Sequence, residues 1–216
     1  MPPRVLVDAA AVPADRGALI RYVDGLVAAL DRAGADLAVV CQRADAARYA
    51  GLAPSARIVP GPHGITNRAA RLTWEQTGLP FLARQVGAEV IHAPYYSIPL
   101  SSGLPTVATV HDLTCFTEPL QHDAVKAAFF RAATRTAVRH ATRVIVPSKA
   151  TRDELIRILS ADPDPHRRRP TTASTRRCST RRPSARSRTP PTGSACTAPR
   201  TWPSWARWSR VRTCQT

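Results

Sequence analysis

Through residues 1–160, short apolar runs alternate with longer stretches in which apolar side chains recur every three or four positions. The apolar runs predict six strands: RVLVDA, DLAVVCQ, ARIVP, EVIHA, TVATVHD and TRVIVPS. The periodic stretches predict helices, including one that ends at Gly34, one over about residues 67–86 and one capped by Ser148. Because such alternation is typical of βαβ units, we expect an α/β fold, a Rossmann-like open parallel sheet with helices on both faces.

The loops after the predicted strands are the first places to look for chemistry, because ligands of open parallel sheets bind beyond the carboxyl ends of the strands. The richest of these loops begins with His111 and Asp112, directly after Val110. The imidazole can donate to a phosphate or a sugar hydroxyl, and the carboxylate can fix its tautomer or cap the next turn. The residue types alone leave a second interpretation open, in which the pair only organises its loop.

Charge divides the chain into two parts. The whole sequence holds 31 Lys and Arg against 15 Asp and Glu, a net charge of +16. Residues 1–160 hold 18 basic and 13 acidic residues, a net of +5, whereas residues 161–216 hold 13 Arg, no Lys and two Asp, a net of +11. The excess of Arg, Pro, Thr and Ser with few aliphatic residues predicts a disordered tail over residues 163–216.

The cysteines and the apolar runs exclude several classes of protein. The five cysteines form no CxxC pair and no zinc-ligand spacing with histidine, so we expect neither a disulfide scaffold nor a metal site. The first residues lack a sustained apolar core of a leader peptide, and no apolar run approaches the length of a membrane span. A soluble chain in the reducing cytoplasm fits these features.

Several groups of residues, in their order and spacing, resemble the N-terminal domain of the retaining family 4 glycosyltransferases, which have the GT-B architecture. They are Trp74-Glu75-Gln76 before Leu79-Pro80, His92-Ala93-Pro94 with Tyr95, Thr109-Val110-His111-Asp112-Leu113, and Ser148 with Thr151-Arg152. The resemblance covers about residues 4–160. It implies that residues 1–162 form the acceptor-side domain of an enzyme that transfers a sugar from a nucleotide-sugar donor to an acceptor hydroxyl.

The resemblance also implies site residues. His111, with Asp112, would lie near the transferred sugar and the donor phosphate. A loop approaching the acceptor or the diphosphate would contribute Arg16, Gly17, Arg21 and Tyr22. Three further acceptor-side candidates are His92, Tyr95 and Ser148, whereas the neighbouring Tyr96 is expected to cover the sheet end.

One departure from the family pattern falls in this loop. Gly17-Ala18-Leu19-Ile20-Arg21-Tyr22 stands where the family has Gly-Gly-(Ile/Val)-Gly-Arg-Tyr. Two glycines are missing, which bears on how closely the backbone can approach a phosphate or an acceptor.

The resemblance further implies partners and location. The substrates would be a nucleotide sugar and a glycan or lipid-linked acceptor, with no cofactor. Residues 1–160 contain no Asp-x-Asp motif, which suits transfer without a metal ion. The expected location is the cytoplasm, with peripheral association at the inner face of the membrane as an option, and no nucleic-acid partner is expected.

The tail lacks the sequence with which the family opens its donor domain, and a shift of reading frame near Pro163 accounts for this. Tryptophan has one codon, TGG, so in a register one base away Trp202–Pro203 must read Ala and Trp205–Ala206 must read Gly. The same register permits Phe-Leu-Gly-Ala-Leu-Glu-Pro-Arg, which resembles the donor-domain opening. We therefore expect a frameshifted tail and a chain with little transferase activity by itself.

Two other functions stay open at this point. The chain could be a non-catalytic α/β binding domain, which titration with nucleotide sugars and acceptors would distinguish. Alternatively, the basic tail could bind nucleic acid by releasing counterions, with its tryptophans stacked on bases. Deleting residues 164–216 would abolish nucleic-acid binding in that case.

Overall fold

A computed structural model describes residues 2–11, 17–118, 121–161 and 211–213 of the chain. All six predicted strands are present. They are β1 (Val5–Asp8), β2 (Leu37–Cys41), β3 (Arg57–Pro60), β4 (Val90–Ala93), β5 (Thr106–Thr109) and β6 (Arg143–Val146). The α-helices are α1 (Ala18–Arg32), α2 (Ala46–Leu52), α3 (Arg68–Gln85), α4 (Thr114–Thr117), α5 (Ala124–His140) and α6 (Lys149–Leu159). The predicted α/β, Rossmann-like architecture is confirmed.

The sheet is parallel throughout, with the strands in the order β3-β2-β1-β4-β5-β6-β7, where β7 is Val211–Thr213. The chain moves outward from β1 to β3 and then returns to add β4 on the other side of β1. The order therefore reverses between β1 and β4, and a crevice opens at such a point beyond the carboxyl ends of the strands. The edge that carries His111 lies next to this reversal.

Side chains alternate between two apolar layers, as the pleat of a strand requires. In β1, Val7 packs with Val23 of α1 on one face, whereas Leu6 packs with Leu79 of α3 on the other. A third cluster joins β5 and β6 to α5 and α6 through residues such as Leu155. Helices therefore cover both faces of the sheet, and each fully buried aliphatic side chain contributes about 1.5–3 kcal/mol.

Capping residues mark the starts of three helices. Asn67 accepts hydrogen bonds from the amides of Ala69 and Ala70 at the start of α3. Asp123 accepts from Lys126 N at the start of α5, and Ser148 accepts from Thr151 N at the start of α6. The cap predicted at Ser148 is confirmed, and such a cap contributes about 1 kcal/mol.

Two elements were not anticipated from the sequence. The short helix α4 directly follows the His111-Asp112 loop, and Val211–Thr213 forms a strand, β7, parallel to β6. Apart from these three residues, the predicted disordered tail, its frameshift and its nucleic-acid role concern residues outside the described ones. Within the described ranges, no helix combines the length and the apolar content needed to cross a bilayer.

Candidate active site

A cleft of about 300 Å³ lies at the carboxyl edge of the sheet, where loops after β4 and β5 meet α1 and α5. Its walls are mostly aromatic or polar side chains. They belong to Leu19, Tyr95, Tyr96, His111, Asp112, Thr114, Cys115, His122, Lys126 and Phe130. Three residues proposed from the sequence, Tyr95, His111 and Asp112, therefore line one cavity.

His111 has a defined tautomer. Its Nε2 lies 2.8 Å from the Pro94 carbonyl oxygen, which can only accept, so Nε2 carries the proton. Burial lowers the pKa of His111, although the Pro94 carbonyl and the Asp112 carboxylate oppose this. At neutral pH the ring is therefore uncharged, and Nδ1 is its hydrogen-bond acceptor. The tautomer is fixed by Pro94 and not by Asp112, one of the two roles considered for that carboxylate.

Tyr22 and His92, which both lie near His111, contact the side chain of the same threonine, Thr109. The Thr109 hydroxyl lies 3.2 Å from the Tyr22 hydroxyl and 3.0 Å from His92 Nε2. The Tyr22 ring meets the His111 ring edge-on, with centroids 4.8 Å apart. His92 is buried, and burial, followed by the nearby His111, lowers its pKa to about 4. His92 is thus a neutral group beneath the cleft and not part of its wall.

Asp112 is exposed at the cleft and organises its own turn. Its Oδ1 accepts from the amide and hydroxyl of Thr114, at 3.0 and 2.7 Å. Its Oδ2 accepts from the Tyr96 hydroxyl at 3.1 Å. The Thr114 hydroxyl donates to Asp112 and therefore accepts from His122 Nε2, at 3.0 Å. The carboxylate caps its turn, as considered from the sequence, and is also oriented by a tyrosine across the cleft.

Tyr96 was expected only to cover the end of the sheet, but its side chain also forms hydrogen bonds with Asp112. It is 7% exposed, and its hydroxyl both donates to Asp112 Oδ2 and accepts from the Asp112 amide. Its backbone has φ of 55°, a left-handed conformation that is uncommon for a bulky residue. Edge-to-face contacts join Tyr96 to Tyr95 and Phe130, with centroids 5.4 and 5.1 Å apart. A strained loop residue thus links the aromatic wall to Asp112.

The other described sequence candidates, Gly17, Arg21 and Ser148, are not among the residues that line the cleft. Arg21 is exposed on α1, and Ser148 is exposed at the cap of α6. Gly17 is exposed before α1 with φ of −69°, and a Cβ there would meet nothing within 4 Å. Ile20, at a position where the resemblance leads us to expect a glycine, is buried in the core. Arg16 lies outside the described residues, so the contribution of this loop to a ligand site stays a prediction.

A second polar group lies buried behind the cleft. Asp8 at the end of β1 is 3% exposed, Glu75 of α3 is 2% exposed and Arg71 is 9% exposed. Burial raises the pKa of Asp8 to about 6. Burial, with the repulsion from Asp8, raises the pKa of Glu75 to about 7. Among the described residues, no group of three or more His, Cys, Asp or Glu side chains could hold a metal ion.

Comparison with known proteins identifies the domain. The model of Glycosyltransferase Family 4 matches residues 20–177, about three quarters of the chain. The chain belongs to glycosyltransferase family 4. The match includes every residue that lines the cleft of this family 4 domain except Leu19, and it runs past residue 162, where the domain was predicted to end.

The fold of the family 4 domain has a counterpart among solved structures. The crystal structure of Glycyrrhiza uralensis UGT73P12 complexed with glycyrrhetinic acid 3-O-monoglucuronide matches with a TM-score of 0.53 and 12% identity. The match covers 75% of this chain and 48% of that one, so the chain spans about half the length of its structural relative. At this identity the likeness concerns the fold, and it supports the predicted half of a GT-B architecture. No curated protein matches the chain significantly.

Several cleft residues of the family 4 domain escaped sequence reasoning. Thr114, His122, Lys126 and Phe130 line the cleft from α4, the loop after it and α5, which the sequence does not juxtapose, and Thr109 lies beneath the cleft at the end of β5. Thr109 offered one signal, because it ends a strand directly before His111. The others become neighbours only because α4 turns the chain back toward the start of α5.

Proposed function

We propose that the chain is the acceptor-side domain of a retaining, metal-independent glycosyltransferase that moves a sugar from a nucleotide sugar to an acceptor hydroxyl. The observation that supports this most is the cleft of a family 4 domain in which a neutral His111 has its Nε2 proton engaged by Pro94. Retention, the donor class and metal independence are proposed from the family resemblance.

The neutral His111 ring would receive a substrate hydroxyl. Since Nε2 donates to the Pro94 carbonyl, Nδ1 would accept a hydrogen bond from a hydroxyl in the cleft. The Tyr22 ring packs edge-on against the His111 ring and restricts its rotation, so Nδ1 of His111 is held in one orientation. His111 would therefore orient a hydroxyl without becoming charged.

The aromatic wall would hold the body of the acceptor. Tyr95, Tyr96 and Phe130 offer ring faces and edges on which the apolar side of a sugar or a lipid-linked glycan can pack. Asp112, opposite, can accept hydrogen bonds from sugar hydroxyls in addition to those from Tyr96 and Thr114. A wall of this composition suits a polyhydroxylated acceptor.

The departing diphosphate would be stabilised outside this domain. The residues that the family resemblance assigns to that task belong to the donor domain, which the proposed change of reading frame removes. The 216-residue chain would therefore bind acceptor but release little or no nucleoside diphosphate. Resequencing the gene around the Pro163 codon tests the frame, and an unshifted gene would contradict this part of the proposal.

Calorimetric titration of the full chain with candidate glycan and lipid-linked acceptors tests the site. His111→Ala is expected to weaken acceptor binding roughly fivefold to tenfold, the value of one neutral hydrogen bond. Thr77→Ala is the control, because Thr77 is exposed on α3 and its hydroxyl donates to Thr73 O within the same helix. Equal acceptor affinity in wild type and His111→Ala would contradict the assignment, as would multiple turnover of a nucleotide sugar by the purified chain.

A further inference from the structure

The segment Trp74–Pro80 of α3 lies against the loop between β4 and β5. This segment carried part of the family resemblance, and nothing in the cleft uses its residues directly. Leu79 is buried in the apolar layer beneath the sheet, and a Cβ at Gly78 would overlap the Trp74 indole. Those three residues are explained by packing, whereas Glu75, Gln76 and Pro80 require another account.

The Gln76 side chain bonds the loop backbone on two sides. Its Nε2 donates to the Ile98 carbonyl at 2.9 Å, and its Oε1 accepts from the Leu100 amide at 3.0 Å. The side-chain amide thus supplies the loop backbone with the hydrogen-bond partners that a neighbouring strand would supply in a sheet. Gln76 Nε2 also lies 3.1 Å from Glu75 Oε1, which orients the amide.

Glu75 adds a buried contact to the same loop. Its Oε2 accepts from the Ser97 hydroxyl at 2.7 Å, across 22 positions of sequence. A buried carboxylate without hydrogen-bond donors would be strongly destabilising, and Ser97 and Gln76 supply them. Ser97 therefore supplies a donor to the buried Glu75 carboxylate, and Glu75 in turn holds Ser97 against α3.

Pro80 frees a helix carbonyl for the loop. Proline has no amide hydrogen, so the Gln76 carbonyl, four residues earlier, lacks its usual helical donor. The Ser101 hydroxyl donates to this carbonyl at 2.8 Å. A proline inside a helix thus creates the acceptor that anchors the end of the loop.

The other part of the loop bonds the cleft residues. The Pro94 carbonyl accepts from His111, and the Tyr96 hydroxyl donates to Asp112. The backbone amide of Tyr96 donates a hydrogen bond to the Thr109 carbonyl oxygen at 3.1 Å, and this contact holds the left-handed conformation. A strained conformation persists only when its surroundings determine it, and α3 makes contacts with four of the next five residues.

We propose that Glu75, Gln76 and Pro80, the α3 clamp, are positioning residues that hold the β4–β5 loop so that Pro94 fixes the tautomer of His111 and Tyr96 orients Asp112. The α3 clamp acts through the loop and touches no substrate. The relevance of the α3 clamp to sugar transfer rests on the proposed function. Its effect on the position of the loop and on His111 does not, because both can be measured without substrate.

Histidine NMR titration of the full chain tests the α3 clamp, with the His111 signal assigned by its loss in His111→Gln. The groups that face His111 are Tyr22, Tyr96, His92 and Asp112, and none of them is changed in the clamp variants. Gln76→Ala is expected to move the His111 midpoint up toward about 6.5, its ordinary value, because a loosened loop admits water to the ring. Hydrogen exchange of the Leu100 amide should also accelerate several-fold, because its acceptor is gone.

The matched variants separate positioning from general stability. Thr77→Ala, the exposed neighbour on α3, should leave both the His111 midpoint and the Leu100 exchange rate at wild-type values. Gln76→Glu keeps the acceptor for Leu100 but cannot donate to Ile98, so we expect it to shift His111 as Gln76→Ala does. Ser101→Ala, at an exposed loop position, tests the contact that Pro80 creates even if Gln76 variants fail to fold.

A single outcome would overturn the proposal: folded Gln76 and Ser101 variants with lowered melting temperatures but an unchanged His111 midpoint, which is the result for a purely structural role. Because this titration needs neither donor nor acceptor, its failure would leave the proposed function standing. Conversely, failure to bind any acceptor would leave the α3 clamp intact.

Discussion

Two segments reach the same cleft and are held by opposite means. On the α1 side, Leu19 and Tyr22 flank Ile20 and Val23, which are buried against β1 and α2. On the β4–β5 side, the loop carrying Tyr95 and Tyr96 is tied by hydrogen bonds to α3 and to Asp112. One wall is positioned by apolar burial and the other by polar contacts, so the two should respond differently to mutation and to pH.

The difference also explains where the family pattern changes. On the α1 side Ile20 stands where the family resemblance leads us to expect a glycine, and its larger side chain fits because it is buried in the core. Apolar burial tolerates such a change wherever a pocket exists. In the Trp74–Pro80 segment, which carries part of the family resemblance, the polar side chains of Glu75 and Gln76 each have a specific partner in the loop.

The largest effect is expected on the apolar side. Ile20→Ala should lower the free energy of unfolding by about 2–5 kcal/mol, because it removes buried methyl groups and leaves a cavity beside Val7 and Val23. Urea denaturation measures this loss. Arg21→Ala, one position along on the exposed face, should stay within about 0.5 kcal/mol of wild type. A similar, small loss in both variants would show that α1 is not anchored by its buried face.

On the polar side, the expected signature is pH dependence. The pKa of Glu75 is raised to about 7 in the folded chain from an ordinary value near 4.5, so the folded state binds its proton more tightly than the unfolded state. Stability should therefore fall as pH rises from about 4.5 through 7. Asp8, with a pKa raised to about 6, changes stability in the same direction.

Glu75→Gln isolates this contribution. The variant should exceed wild type in stability by up to about 3 kcal/mol at pH 8, and the difference should vanish near pH 4. The Ser97 hydroxyl can accept from the new amide and donate to Tyr95 O, 3.4 Å away. Unfolding in urea across this pH range gives the comparison, with Glu89→Gln at an exposed position as the control. A stability difference that does not change with pH would mean that Glu75 titrates normally.

The sequence anticipated the elements that follow from local pattern. Apolar periodicity located α1, the sequence also predicted α3 and α5, and the position directly after a strand placed His111 and Asp112 at the carboxyl edge of the sheet. The resemblance then gave the family, which the comparison confirms. These features depend on residues near one another in sequence or on a pattern shared by many chains.

The sequence could not anticipate the partners that fix the site. The His111 tautomer depends on the Pro94 carbonyl, 17 positions earlier, and the Glu75 carboxylate depends on Ser97, 22 positions later. Such pairs form only when a loop takes one conformation, and the left-handed Tyr96 gave no sign of it in an APYYSIP segment. Sequence patterns give the edge of a sheet, whereas the hydrogen-bond partners within a loop require coordinates.

The smallest predicted effect concerns the point where the two walls meet. Thr109→Val keeps the shape of the residue and its backbone carbonyl, which accepts from Tyr96, but removes the hydroxyl that lies between Tyr22 and His92. A buried imidazole nitrogen then loses its partner, so unfolding in urea should show a loss of about 1–3 kcal/mol. Thr77→Val, at an exposed helix position, should cost less than about 0.5 kcal/mol. If Thr109→Val is equally mild, the Thr109 hydroxyl does not couple the two walls.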